Sequence, residues 1–179
     1  MTAERSAFQN VHRLSSLIDR IVSALCAVLF GAMTLDVIIG VFFRYILKNP
    51  LNFTEELARY LMIWGASLAI SLGISAGEHV GLTVIMDSLK NMYARKILSL
   101  LINIMVFTFL VFMLVYSIFA TVEARTQFST GLGITMVLPK LALPVSMFIA
   151  AVQIVLVTIM ILADPEGKLK TSATGYIDI

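Results

Sequence analysis

The chain has 179 residues, 59% of them hydrophobic and 13% charged, with a mean hydropathy of +0.95. An average soluble chain is about 25% charged, so a water-solvated globule is excluded. The net charge of +2 is too small to argue for nucleic-acid binding, and a single cysteine, Cys26, rules out an intrachain disulfide.

Four apolar stretches, Ile21–Phe43, Leu57–Ala76, Ile97–Val122 and Leu141–Ala163, run 20 to 26 residues each. An apolar helix needs ~20 residues to cross a ~30 Å hydrocarbon core, so each is long enough to span. They contain two formally charged residues, Asp36 and Arg59. The expected fold is an all-α integral membrane protein, one domain over residues 1–179 with four transmembrane helices and two amphipathic interfacial helices. The connections are too short to fold as separate domains.

Before the first span, Ala7, Val11, Leu14 and Ile18 recur at three- and four-residue spacing, with Arg5, Gln9, His12, Arg13 and Ser16 on the other side. This predicts an interfacial helix over 7–20, suited to phospholipid headgroups and able to run straight into span one. A secretion signal has an apolar core of about 7–15 residues. The longer run here, with Asp36 in its second half, reads as a retained helix. Span one ends at Phe43-Arg44-Tyr45, an arginine between aromatics at headgroup level. Lys48-Asn49-Pro50 reads as a turn. Thr54 then reads as an N-cap, with Glu55 and Glu56 in the first helical turn, where carboxylates suit the helix dipole.

In span two, Gly65, Ala69, Gly73, Gly77 and Gly81 recur every four residues, and Ser67, Ser71 and Ser75 do the same on roughly the opposite side. Such columns let helix backbones approach closely, so this helix should be contacted from both sides. Over 82–95, Leu82, Ile85, Met86, Leu89, Met92 and Tyr93 oppose Asp87, Lys90, Asn91 and Arg95, a second interfacial helix. Span three is ~39 Å long at 1.5 Å per residue, which requires tilt or extension beyond the bilayer. The loop that follows carries a turn at Gly131-Leu132-Gly133. Pro139 and Pro144 bracket the start of span four. With the N-terminus inside, the inner segments carry Arg5, Arg13, Arg20, Lys90, Arg95, Lys96, Lys168 and Lys170, and the outer ones Arg44, Lys48, Arg125 and Lys140. The bias places both termini in the cytoplasm.

Asp36 is the clearest intramembrane acid, and such residues are functional candidates by default. One acid without a second buried carboxylate makes a poor ion-coupling site, which favours a structural partner for Ser, Thr or Arg in the bundle or across a subunit interface. Arg44, Glu55, Glu56 and Arg59 cluster near the outer boundary. Glu55 and Arg59 stand four apart in the favourable acid-first order. An ion-pair clamp between spans one and two, or a docking surface for an external protein, both fit the cluster. His12 and His79 lie outside the spans, so a bundle haem is disfavoured, and no zinc, phosphate-loop or nucleophile motif appears. No cofactor and no catalytic residue is expected. Spans three and four carry no charge, and no span is broken by proline at mid-membrane, the usual mark of a substrate site. The chain therefore reads as a subunit supporting a partner that carries the transport path.

Phe43-Arg44-Tyr45, Pro50, Glu55-Glu56-Leu57-Ala58-Arg59-Tyr60, Trp64, Gly73 and Gly77-Glu78-His79 together resemble the small, DctQ-type membrane subunit of tripartite ATP-independent periplasmic (TRAP) transporters, and Leu132-Gly133-Ile134 and Leu143-Pro144 fit the same pattern. Phe53 stands where the family often has tryptophan, which keeps an interfacial aromatic. The resemblance implies a non-enzymatic subunit of a bacterial inner membrane. It implies a separate large multi-helix subunit moving solute by a sodium-coupled elevator, and a periplasmic binding protein delivering an organic acid such as a C4-dicarboxylate or sialic acid. A bracing role follows, with a docking face at Arg44, Lys48, Glu55, Glu56, Arg125 and Lys140 and close helix packing at Gly65, Ala69, Gly73 and Gly77. The alternative is a stand-alone four-helix proton-coupled exporter using Asp36.

Overall fold

A computed structural model describes residues 2–76 and 92–163. The segment expected to hold the second interfacial helix, with Gly77, Glu78 and His79, and the C-terminal tail lie outside them. The helices are α1 (Thr2–Tyr45), α2 (Thr54–Ser75), α3 (Met92–Glu123), the single turn α4 (Val137–Lys140) and α5 (Ala142–Ala163), with a 3-10 turn at Ala124–Thr126 after α3. Four of them carry segments long and apolar enough to cross a membrane.

The arm and span one form one unbroken helix of 44 residues. At 1.5 Å per residue it is roughly 66 Å long, about twice a hydrocarbon core. No proline or glycine interrupts the junction, so nothing stops helix propagation there. The end of the arm is not apart from the bundle: Ser15 and Val22 are buried, and Ser15 meets α5.

α5 packs on α1, α2 and α3, and α1 also packs along α2. The result is a three-helix body of α1, α2 and α5, to which α3 attaches mainly through α5. One apolar cluster joins Ile74, Leu110, Met147, Ala150 and Ile154, and another joins Val22, Cys26 and Leu68. The outward faces of α1 and α3 are apolar and exposed, as at Leu25, Val28, Phe109 and Phe119. In water this would drive association; in lipid it is the expected solvent-facing surface.

The small-residue column of α2 is used unevenly. A Cβ on Gly65 would meet the Phe30 ring at 3.0 Å, whereas one on Gly73 would meet nothing within 4 Å. Gly65 is therefore where α1 and α2 close up, and Gly73 faces open space among the described residues. Of the serine column, Ser67 and Ser71 are buried, so the face opposite the glycines is the more enclosed one. An unforeseen close approach lies at Gly40, where a Cβ would stand 2.9 Å from Thr54 Oγ1. Gly65→Leu is expected to cost about 1–3 kcal/mol by overpacking against Phe30, read as a lower thermal midpoint in detergent. Gly73→Leu should leave that midpoint unchanged or raise it.

Candidate functional site at the loop end of the bundle

The C-terminal ends of α1 and α3 and the N-terminal ends of α2 and α5 gather at one end of the antiparallel bundle. α1 closes with backbone bonds from Ile46 N–H to Phe42 O (2.9 Å) and Asn49 N–H to Phe43 O (3.1 Å), and Lys48 takes a left-handed φ of 52°. Such a residue commonly ends a helix, though glycine is the usual choice. Thr54 was the expected N-cap of α2. It is instead the first helical residue: its hydroxyl donates to Leu51 O at 3.0 Å, and Phe53 occupies the cap position without a side-chain bond. The threonine is buried close to Gly40.

Glu56, Tyr60 and Trp64 sit at i, i+4 and i+8 on α2, a spacing that stacks them along one face. All three reach the loop between α3 and α5. Glu56 Oε2 accepts the backbone N–H of Gly131 (2.7 Å) and Leu132 (3.1 Å). The Tyr60 hydroxyl donates to Glu56 Oε1 and lies 3.4 Å from Met136 Sδ. Trp64 Nε1–H donates to Leu138 O at 3.2 Å. Bonds to an ionised carboxylate are about twice as strong as neutral ones, so Glu56 is the principal anchor. The loop folds back on itself through Ser129 N–H to Ile134 O (2.8 Å) and Met136 N–H to Gln127 O (2.9 Å). Gly133, at φ +65°, allows the reversal. At Gly131 a Cβ would stand 2.6 Å from Glu56 Oε2 and 3.1 Å from Asn52 O, so a side chain there would push the carboxylate off the loop.

The charged residues singled out near the outer boundary all lie among the described residues, whereas Gly77 does not. Arg44 pairs with Glu55 across the α1–α2 turn, and both side chains are exposed. Glu55 is engaged there rather than with Arg59; among the described residues no ion pair joins Glu55 to Arg59, and Arg59 is exposed. Glu56 belongs to the loop anchor and not to a cation. Lys140 Nζ donates to Gln127 Oε1 at 2.9 Å, which ties it to the same loop. Lys48 and Arg125 are exposed at the same end. Asp36 is buried one helical turn below Gly40, beside the backbone of Ala58, and its Oδ2 has no hydrogen-bond partner among the described residues. No Ser, Thr or Arg side chain bonds it among the described residues.

Nothing in the sequence marks Tyr60 and Trp64 as anchors beyond their four- and eight-residue spacing from Glu56. A second polar network was also missed. Gln153, fully buried on α5, donates through Nε2 to Ser15 Oγ (2.7 Å) and Asp19 Oδ1 (3.2 Å) of α1. Asn103 Nδ2 of α3 donates to Thr158 Oγ1 of α5 at 3.0 Å, and that hydroxyl donates on to Ile154 O at 2.7 Å. Neutral amides in an apolar run leave no charge signature, and nothing in their spacing names a partner on another helix.

The arrangement is a polar platform on a membrane bundle, its loop held on α2 by side-chain hydrogen bonds. Comparison with known proteins agrees with a non-enzymatic membrane part. The family model described as tripartite ATP-independent periplasmic transporters, DctQ component, matches residues 33–163. A putative TRAP transporter small permease protein of Haemophilus influenzae is 30% identical over 92 residues, 51% of this chain and 56% of that relative, so this match spans little more than half of the relative's length. The ectoine TRAP transporter small permease protein of Halomonas elongata is 25% identical over 171 residues, 94% of this chain and 86% of the relative. With four membrane-crossing helices and a family match across most of its length, the chain belongs to the DctQ family, the small permease component of TRAP transporters.

Proposed function

We propose that this chain is the static brace of a sodium-coupled TRAP transporter for organic acids, holding a separate large elevator subunit. In this reading the loop end faces the periplasm and forms part of the docking face for the binding protein, with both termini cytoplasmic in a bacterial inner membrane. The single observation that carries the reading is the locking of the α3–α5 loop onto α2 by Glu56, Tyr60 and Trp64. A surface that receives a diffusing partner gains from such preorganisation, because less ordering remains for the binding step. The exposed Arg44, Lys48, Glu55 and Arg125 supply charge at its rim, where charge mainly sets the association rate. The positive-inside bias supports the orientation. The organic-acid class and the sodium coupling rest on the family resemblance; the Halomonas relative is named for ectoine.

Charge reversal tests docking against simple clamping. Arg44→Glu should lower solute uptake by roughly ten-fold, the scale of electrostatic steering, while the large subunit still co-purifies. The double exchange Arg44→Glu with Glu55→Arg re-forms the pair but inverts the outward charge pattern. Uptake should stay low in the exchange variant. Full recovery would assign Arg44 and Glu55 to clamping alone and overturn their part in docking.

A further inference from the structure

Between α3 and α5, at the loop end, lies an open groove of about 540 Å³. Its walls are apolar, with Ile118 and Val122 on one side and Leu141, Val145 and Phe148 on the other. The size is that of a small-ligand site, ~300–1,000 Å³. The groove runs from Arg125 at the mouth down to Leu114 on α3. The eleven steps from Leu114 to Arg125 rise ~16 Å at helical spacing. That matches one leaflet, half of a ~30 Å hydrocarbon core. Arg125 is the charged residue of the lining; Glu123, two positions earlier, does not line the groove. Among the described residues the Arg125 guanidinium has no ion-pair or hydrogen-bond partner, whereas Lys140 nearby is engaged by Gln127. The second polar lining group, Thr121, directs its hydroxyl to Ser117 O (2.7 Å) and Lys140 O (3.3 Å) and so stays satisfied within the protein.

We infer that the groove seats one glycerophospholipid, with an acyl chain between α3 and α5 and its phosphate on Arg125. The chemistry divides as the groove does. An apolar slot of leaflet depth takes a hydrocarbon tail, and an unpartnered guanidinium at the membrane boundary takes an anion bidentately. α3 holds to the body mainly through α5, so a lipid wedged there would add contacts along the seam on which the attachment of α3 depends. The inference does not depend on which solute the transporter carries.

The test uses the full-length chain in vesicles of phosphatidylethanolamine and phosphatidylglycerol, doped with a phosphatidylglycerol bearing a diazirine near the end of one acyl chain. After illumination, labelled peptides should concentrate on residues 114–125 and 141–149 over the exposed α1 face around Leu25 and Val28. Arg125→Gln should lower that labelling about five-fold, the scale expected for one cation near an anionic membrane surface, and Arg125→Lys should keep most of it. A diacylglycerol with the same diazirine tail, lacking the phosphate, should show no preference for the groove. Helical content by circular dichroism, unchanged in both variants, keeps the comparison valid. Three outcomes overturn the inference: equal groove labelling by the diacylglycerol, no effect of Arg125→Gln, or labelling spread evenly over α1 and α3. Cross-linking of the groove to a helix of the large subunit in the assembled complex would likewise replace the lipid with a protein occupant.

Discussion

Gly131→Val should release the α3–α5 loop from α2 and abolish most uptake while leaving the bundle folded. The Cβ position at Gly131 falls 2.6 Å from Glu56 Oε2 and 3.1 Å from Asn52 O. A glutamate carboxylate can swing aside only by leaving its bonds to the loop, and the Asn52 carbonyl or the loop must also give by a few tenths of an ångström. Overpacking of this kind costs about 1–3 kcal/mol locally. Displacement also breaks both N–H bonds to Glu56. Hydrogen exchange reads this directly: the Leu132 amide should lose about an order of magnitude of protection or more, as a locally unfolded segment does. Glu56→Gln should fall between wild type and Gly131→Val, because the amide oxygen still accepts bonds but without the charge. If Gly131→Val leaves Leu132 protection and uptake unchanged, the loop is not held by this anchor and the docking platform loses its basis.

A comparable loss, this time of stability, is expected at Gln153. Its side chain is fully buried and bonds two groups of α1 at once. Hydrogen bonds between membrane helices are worth ~1–2 kcal/mol at most, because a chain unfolded in lipid also finds partners. Gln153→Leu keeps the volume and removes the bonds, so it should cost about that much. Gln153→Ala adds a cavity and should cost more, about 2–4 kcal/mol in total. A double-mutant cycle with Ser15→Ala separates the terms: the Ser15 effect should shrink in the Gln153→Leu background. Independent, additive losses would mean that the two side chains do not support one another. The thermal midpoint of the purified chain in one fixed detergent is sufficient for the cycle.

These two sites show how differently sequence and structure speak about polar residues in a membrane bundle. Arg44, Glu55 and Glu56 stood out because charges are rare in so apolar a chain, and each lies at the loop end as a helix-terminal residue would. Their partners were less legible. Glu55 was paired by spacing with Arg59 and is held by Arg44; Glu56 was grouped with the cations and is held by backbone N–H groups of a distant loop. The glycine column is a pattern that does not say how each position is used: among the described residues Gly65 meets Phe30, and a Cβ on Gly73 would meet nothing within 4 Å. Asp36 stands out by its charge, yet that its Oδ2 has no partner among the described residues is visible only once α2 lies beside it.

Membrane residence, the four crossings and the all-helical class followed from the sequence alone. Hydropathy over a ~20-residue window is a local quantity, and a lipid solvent forces any such window to satisfy its backbone within a helix. The bonds that define this particular molecule link residues 75 positions apart at Glu56 and Gly131 and 138 apart at Gln153 and Ser15. No periodicity within one helix encodes them. They exist because antiparallel packing brings α1, α2 and α5 to one axis, and that packing is decided by side-chain shape across helices, which only the tertiary structure contains.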